Sequence, residues 1–302
     1  MKKFVFLMLT LGIGMLAQLQ AQQTVFDKVK VRYSRSGDDV RLVDKNVDLI
    51  LDDGAKKLII RGSDRPLEVS YDDITKVVLE TTRHMRGGAL SQMVGGLAGA
   101  AIASKKVSDY WLYIEYKQSD GTVQPYLMEV AKEISDQVVE KARATFGDRV
   151  ILAEFPEAEE VDKNTLAALQ SKHDVDVDKK NRPLPQVKPD KALVVVVCPP
   201  LAARYAGKGN QFKLHANDRV IAVNKMGTYS LAYLDPGEYL LVSQTENASG
   251  IKLHLEAGKD YYFLQNTFMG TWKAKTSLAQ HTKELVMYEL SGAWHSDWKQ
   301  KD

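Results

Sequence analysis

Apolar and polar positions alternate with a period of two along most of this chain, and turn sequences interrupt the alternation at short intervals. Val47-Asp48-Leu49-Ile50-Leu51 leads into Asp52-Asp53-Gly54, and Lys57-Leu58-Ile59-Ile60-Arg61 follows. Two β-prone runs joined by a glycine-bearing turn predict a hairpin. Pro66 to Tyr71 predicts a further strand, Asp72-Asp73-Ile74 a corner, and Lys76 to Glu80 the next strand. Tyr110 to Tyr116 pairs naturally with Val123 to Val130 across Ser119-Asp120-Gly121. Aromatic and β-branched residues at this period suit a half-buried antiparallel sheet. The period then changes. Ile134, Val138, Val139, Ala142 and Phe146 mark one face of a helix from about Lys132, stopped by Gly147.

The second half repeats the alternation in shorter pieces. Ala192 to Cys198 is a continuous apolar run, the kind buried on both faces of a sheet. Phe212-Lys213-Leu214-His215 alternates, and Asn217-Asp218 turns the chain into Arg219 to Val223. Tyr229 to Leu234 alternates again, and Asp235-Pro236-Gly237-Glu238 reverses it into Tyr239 to Val242, as a Pro-Gly pair suits a type II turn. Ile251 to Leu255 and Tyr261 to Leu264 follow, separated by Ala257-Gly258-Lys259-Asp260. Short strands with a turn roughly every 8–12 residues predict a β-sandwich.

Between the halves, residues 156–191 are polar and carry Pro156, Pro183, Pro185 and Pro189, a composition that predicts a semi-extended spacer. Asp174-Val175-Asp176-Val177-Asp178 has the start of a calcium loop, but Lys179 stands where the turn needs glycine and Pro185 where the bidentate glutamate belongs. A solvated acidic strand end is expected instead.

Two family resemblances rest on these patterns. Leu67-Glu68-Val69-Ser70-Tyr71-Asp72-Asp73-Ile74, the strand Tyr110–Tyr116 and the helix 132–146 resemble the pleckstrin-homology-like barrel of bacterial proteins over roughly residues 40–150. That resemblance implies a binding scaffold rather than an enzyme. Some relatives bind phosphoinositides through a basic first loop. Here Asp52-Asp53-Gly54-Ala55-Lys56-Lys57 is mixed in charge, so that activity is not carried over. The second half resembles an uncharacterised bacterial β-sandwich family akin to PEGA-type domains. The valine strand, Arg219–Val223, Gly227-Thr228-Tyr229, Leu234 to Tyr239 and Ala257 to Tyr262 run in its order, while Trp294 and Trp298 extend past its usual edge. It implies an envelope-associated, non-enzymatic module. The expected fold class is therefore mainly β: a PH-like barrel with one C-terminal helix, linked to an antiparallel β-sandwich. The expected boundaries are 24–155, a linker at 156–191, 192–292 and a tail at 293–302.

One segment breaks the pattern. Residues 87–104, between two predicted strands, carry no charge, whereas Arg83 and Arg86 flank one end and Lys105 and Lys106 the other. Gly95 and Gly99 stand four apart with Ala103 next in line, a spacing that lets helix backbones approach closely. Met93, Val94, Leu97 and Ile102 supply the apolar bulk. The stretch falls short of the roughly 20 residues that span a bilayer. Three readings stand: a packed or self-associating loop, a surface dip into a membrane with the cations at head groups, and a contact for a partner's groove. Arg86, Met93, Val94, Gly95, Leu97, Gly99, Ile102 and Lys105 are the candidate binding residues.

The first residues set the address. Lys2 and Lys3, the apolar run Phe4–Ala17 and the small-residue exit at Ala21 have the layout of a secretory signal peptide over 1–21. Loss of Lys2 and Lys3 would leave 39 basic side chains (41 less these two) against 39 acidic ones, so long-range attraction to nucleic acid has no support. The expected location is the periplasm or envelope. The single Cys198 excludes an intramolecular disulfide; it reads as a small buried hydrophobe at a strand end, the alternative being a thiol that pairs or reacts.

Catalytic signals are sparse. The six histidines, His84, His173, His215, His254, His281 and His295, have neither zinc spacing nor a helical glutamate partner. No Gly-x-Ser-x-Gly elbow occurs, and Gly207-Lys208-Gly209 lacks the spacing of a phosphate loop. The sequence thus predicts an exported binding or scaffold protein with no cofactor, no metal and no catalytic residue. Its partner would be an envelope protein, a membrane surface or a second copy through the insert. A peripheral lipid binder is the alternative, and an enzyme of unrecognised type the second alternative.

Overall fold

The computed structural model describes residues 23–36, 39–63, 66–87, 104–162, 173–199, 210–269 and 274–300. The expected leader, residues 1–21, lies outside them. The chain is mainly β and divides into two compact units. One takes in Leu42–Leu79 and Tyr110–Leu152 with the stretch before residue 35; the other takes in Arg35–Arg41, Glu80–Asp109 and Ala153–Asp302.

In the first half, the strands are β1 (Gln23–Ser36), β2 (Asp39–Asp52), β3 (Lys57–Arg61), β4 (Leu67–Ser70), β5 (Ile74–Gly87), β6 (Ser104–Lys117), β7 (Val123–Val130) and β8 (Val150–Glu154), with helix α1 (Lys132–Phe146) before β8. They form one sheet in the order β4-β3-β2-β1-β7-β6-β5-β8, with β4 and β8 at its ends. The predicted hairpins are present: Asp52 faces Lys57 across the first turn, and Tyr110 to Lys117 pairs with Val130 to Val123. Alternation sends Leu58 and Ile60 of β3 and Leu112 and Ile114 of β6 into the core while their neighbours face away. Helix α1 adds Val138, Ala142 and Phe146, spaced four apart on the face the sequence marked. Gly147 ends it with a φ of 56° and gives its N–H to the Arg143 carbonyl.

The remaining elements are β9 (Glu159–Glu160), β10 (His173–Asp178), β11 (Ala192–Cys198), β12 (Phe212–Ala216), β13 (Arg219–Asn224), β14 (Thr228–Leu234), β15 (Gly237–Gln244), β16 (Ala248–Leu255), β17 (Asp260–Met269), β18 (Ala274–His281), α2 (Lys283–Leu290) and β19 (Trp294–Gln300). One sheet runs β10-β19-β14-β11-β17-β18 and the other β13-β12-β15-β16-β9. Side chains from both meet in a shared core that includes Val194, Val196, Leu214, Leu241, Ile251 and Phe263, a sandwich-like arrangement. The alternate residues Leu193, Val195 and Val197 are buried too, on the other face of β11, which helix α2 contacts. This accounts for the unbroken apolar run.

Four expectations are revised here. The sandwich is not wholly antiparallel: β11 pairs with β17 and β14 with β19 in parallel. The cause is that the chain switches sheets at β11–β12, β13–β14, β14–β15 and β16–β17, so strands adjacent in one sheet are joined through the other. Asp235-Pro236-Gly237 is one such corner rather than a hairpin turn. Parts of the expected spacer are strands, β9 pairing with β16 and β10 with β19. The expected tail is β19, which lies between β10 and β14.

Candidate functional site

The insert residues singled out by sequence fall mostly outside the structure. Met93, Val94, Gly95, Leu97, Gly99 and Ile102 lie outside the described residues, while Arg86 and Lys105 lie on β5 and β6, their side chains outside the description. The two strands are neighbours in the eight-stranded sheet, and they end at Gly87 and begin at Ser104. The uncharged segment therefore connects the ends of two adjacent strands.

The strongest cluster of titratable groups was not foreseen. Glu80 on β5 belongs to the second unit and is 3% exposed; His281, which ends β18, is 4% exposed. The His281 Nδ1 stands 2.5 Å from Glu80 Oε1, and the Thr82 hydroxyl donates to the same oxygen at 2.8 Å. Glu80 Oε2 accepts from the Thr282 N–H at 3.0 Å and from its hydroxyl at 2.8 Å. Thr282 is the N-cap of α2, and its own side chain does not cap the helix. The carboxylate binds the N–H and hydroxyl of that N-cap residue, at the helix end where the peptide dipoles favour negative charge. Burial alone would raise the Glu80 pKa, but the charge and hydrogen bond of His281, with both Thr282 donors, hold it below the ordinary range. Carboxylate and imidazole are the usual partners of acid–base chemistry. Here the four donors consume both carboxylate oxygens, and the pair works as an internal tie between β5 and the β18–α2 corner. Only the residue types, 201 positions apart, were visible in the sequence.

A second unforeseen network stitches the two sheets of the sandwich. The Asn224 amide donates to Gln265 Oε1 at 2.8 Å, the Gln265 amide to Ser243 Oγ at 3.0 Å, and Ser243 and Thr276 share a hydrogen bond of 2.8 Å. Ser230 donates to Asn224 Oδ1 at 2.8 Å. Asn224, Ser243, Gln265 and Thr276 are all 0% exposed, so each polar group depends on the others. Alternation was the available signal: Gln265 follows Phe263 at the inward period of β17.

The corner Tyr71-Asp72-Asp73-Ile74 is a 3₁₀ turn, with the Ser70 hydroxyl accepting from the Asp72 N–H. The Tyr71 hydroxyl donates to Asp53 at 3.1 Å, Lys141 of α1 pairs with Asp53, and Arg149 donates to the carbonyls of Tyr71 and Ile74 at 2.5 and 2.8 Å. Tyr71 meets Phe146 edge to face, centroids 5.2 Å apart. Lys141, then the Tyr71 hydroxyl, hold the Asp53 pKa down, whereas burial and Asp53 push that of Tyr71 up.

The other candidates stand apart. His215 and His254 do share a sheet, but they face Val242 and Glu238 of β15, four positions or roughly 13 Å apart. His254 is exposed and pairs with Glu238, while His215 is buried and bonds Gln244. Cys198 is fully buried against Phe212 and Ala274, and burial pushes its thiol pKa up. Asp174 and Asp176 are exposed on β10, paired to β19. Among the described residues no group of three or more His, Cys, Asp or Glu could hold a metal ion, and no helix is long and apolar enough to cross a membrane. Neither a protein-family model nor a curated protein matches this chain.

Proposed function

We propose that this is an exported, non-enzymatic binding or scaffold protein of the bacterial cell envelope. In this reading a pleckstrin-homology-like domain and a PEGA-like β-sandwich carry the apolar insert 87–104 as their contact. The observation that carries it is the uncharged segment joined to the ends of the neighbouring strands β5 and β6 and flanked by four cations in sequence. The signal-peptide pattern supplies the location.

The test uses the mature protein beside a variant in which 87–104 is replaced by a short polar loop, both crosslinked in the envelope and both floated with liposomes. A scaffold gives a protein adduct that the variant loses, with neither form floating. Flotation of the intact protein alone replaces the protein partner with a lipid surface. An unchanged adduct in the variant overturns the role of the insert.

A further inference from the structure

Three sheets give six end strands among the described residues, and five of them carry polar closure. In β18, the Thr276 N–H donates to the Asn247 side-chain oxygen at 2.7 Å and the Thr276 carbonyl accepts from the Asn247 amide at 2.8 Å, as a neighbouring strand would arrange. In β10, the carbonyls of His173 and Val175 accept from Gln211 at 3.0 Å and from Lys225 at 2.6 Å. The Val223 carbonyl of β13 accepts from the Ser296 hydroxyl at 2.6 Å. β9 is two exposed glutamates, and β4 is four residues long with Glu68 exposed and Pro66 ahead of it. Covering groups, charge and proline keep such edges from pairing with other chains.

The sixth end strand, β8, differs. Val150 to Ala153 carries neither charge nor proline, and Ile151 and Leu152 are 44% and 42% exposed. These two are sequence neighbours, so their side chains leave on opposite faces of the strand. The cation just before it, Arg149, is turned back onto the carbonyls of Phe146, Tyr71 and Ile74. β5 occupies one side of β8 in the eight-stranded sheet. The other side is a backbone edge with apolar side chains on both of its faces.

We propose that this edge pairs with the β8 of a second copy, antiparallel about a two-fold axis at Leu152. A backbone edge calls for an extended strand. Its side chains call for a strand that is uncharged along its middle and apolar on both faces, and β8 meets that description itself. An axis at Leu152 sets Leu152 against its own copy and Ile151 against Ala153, large against small, with Glu154 opposite Val150 at the rim. An axis at Ile151 would set Asp148 opposite Glu154, a like-charge pair that disfavours that register. A formal net charge of +2 leaves little repulsion between copies. A pair of five-residue strands is small for a protein interface, so the dimer is weak and concentration-dependent. The edge lies outside the insert 87–104, so it can fail or succeed independently of the function proposed above.

The test is sedimentation velocity on the full mature chain from about 1 to about 300 µM, joined to oxidative crosslinking. The average mass should rise towards that of a dimer with concentration. Leu152→Lys brings two cations face to face and should move the midpoint about tenfold higher or more, whereas replacing 87–104 by a short polar loop should leave it unchanged. Leu152→Cys should form a disulfide-linked dimer on oxidation, about tenfold more of it than Val25→Cys, which is exposed on β1. Cys198 is buried and adds no background. Each variant should melt as the parent does, and Leu152→Ser serves if the lysine variant melts lower. A chain that stays monomeric throughout, a dimer that persists in Leu152→Lys or disappears with the insert, or crosslinking no better at position 152 than at 25 overturns the proposal.

Discussion

Replacing Glu80 by glutamine probes the buried tie most directly. The side chain keeps its volume, but one of two acceptor oxygens becomes an NH₂ donor facing groups that themselves donate. In the folded protein those oxygens receive His281 and Thr82 on one side and both Thr282 donors on the other, with Glu80 only 3% exposed. Breaking a buried, hydrogen-bonded charge pair from one side costs about 3–5 kcal/mol. At about 2–4 °C per kcal/mol for a unit of this size, the second unit should melt about 6–20 °C lower. Trp294 and Trp298 lie in that unit and report it by fluorescence in thermal and urea unfolding. The double variant Glu80→Leu with His281→Leu should recover much of the loss, because paired apolar replacement leaves no charge behind. Acid gives an independent check of sign. A carboxyl held below its ordinary pKa adds stability that is complete above the unfolded value, roughly 4.3, and vanishes as pH falls through the folded value. Wild-type protein should lose more stability than Glu80→Gln as pH falls below about 4.3, the remaining loss in the variant coming from carboxylates such as Asp260 that both share. A glutamine variant within about 0.5 kcal/mol of wild type, or a double variant as unstable as the sum of the singles, would refute the tie.

Three further outcomes follow from single sites. Burial depresses the His215 pKa to about 4, the Gln244 hydrogen bond only partly opposing it, so the folded chain holds this imidazole neutral. Its stabilisation is complete above about pH 6.5, is lost on acidification towards pH 4, and reaches about 3 kcal/mol at 1.36 kcal/mol per unit. His215→Gln should flatten urea stability measured between pH 6.5 and 4.5; an unchanged slope contradicts the assignment. Gln265→Leu should destabilise the second unit by about 2–4 kcal/mol, because Asn224 and Ser243 are left buried without their partner; a neutral result in denaturant titration shows that the network relaxes. Lys56 holds a φ of 54° in the β2–β3 turn, so Lys56→Gly should stabilise the first unit by up to about 1 kcal/mol, read by its melting transition. A lower melting temperature there shows that chain entropy outweighs the strain.

The turn at Lys56 shows how far local reading reaches. The hairpin was legible from Leu49, Leu51, Leu58 and Ile60, yet the positive φ falls on Lys56 and not on Gly54, because the Asp52 carboxylate accepts from the Ala55 N–H and shapes the turn. Helix α1 was legible because its apolar spacing needs no distant partner, and Gly147 ends it by a backbone preference of its own. Gln265 and Asn224 were less so. Their alternation marks them as inward-facing, but whether an inward amide is satisfied depends on which strand of the opposite sheet meets it.

Period, turn chemistry and chain stops act over a few residues, so the sequence by itself determined the alternating strands from Val47 to Val130 and from Ala192 to Leu264, the helix α1, the burial of the valine run and the uncharged character of residues 87–104. Sheet membership, the parallel pairs, the capture of β9, β10 and β19, and the meeting of Glu80 with His281 were decided only by the tertiary structure. The physical reason is that an alternating strand carries the same pattern whether its neighbour lies two residues away or two hundred. Only packing chooses among those neighbours, through shared apolar burial and the pairing of buried donors with acceptors.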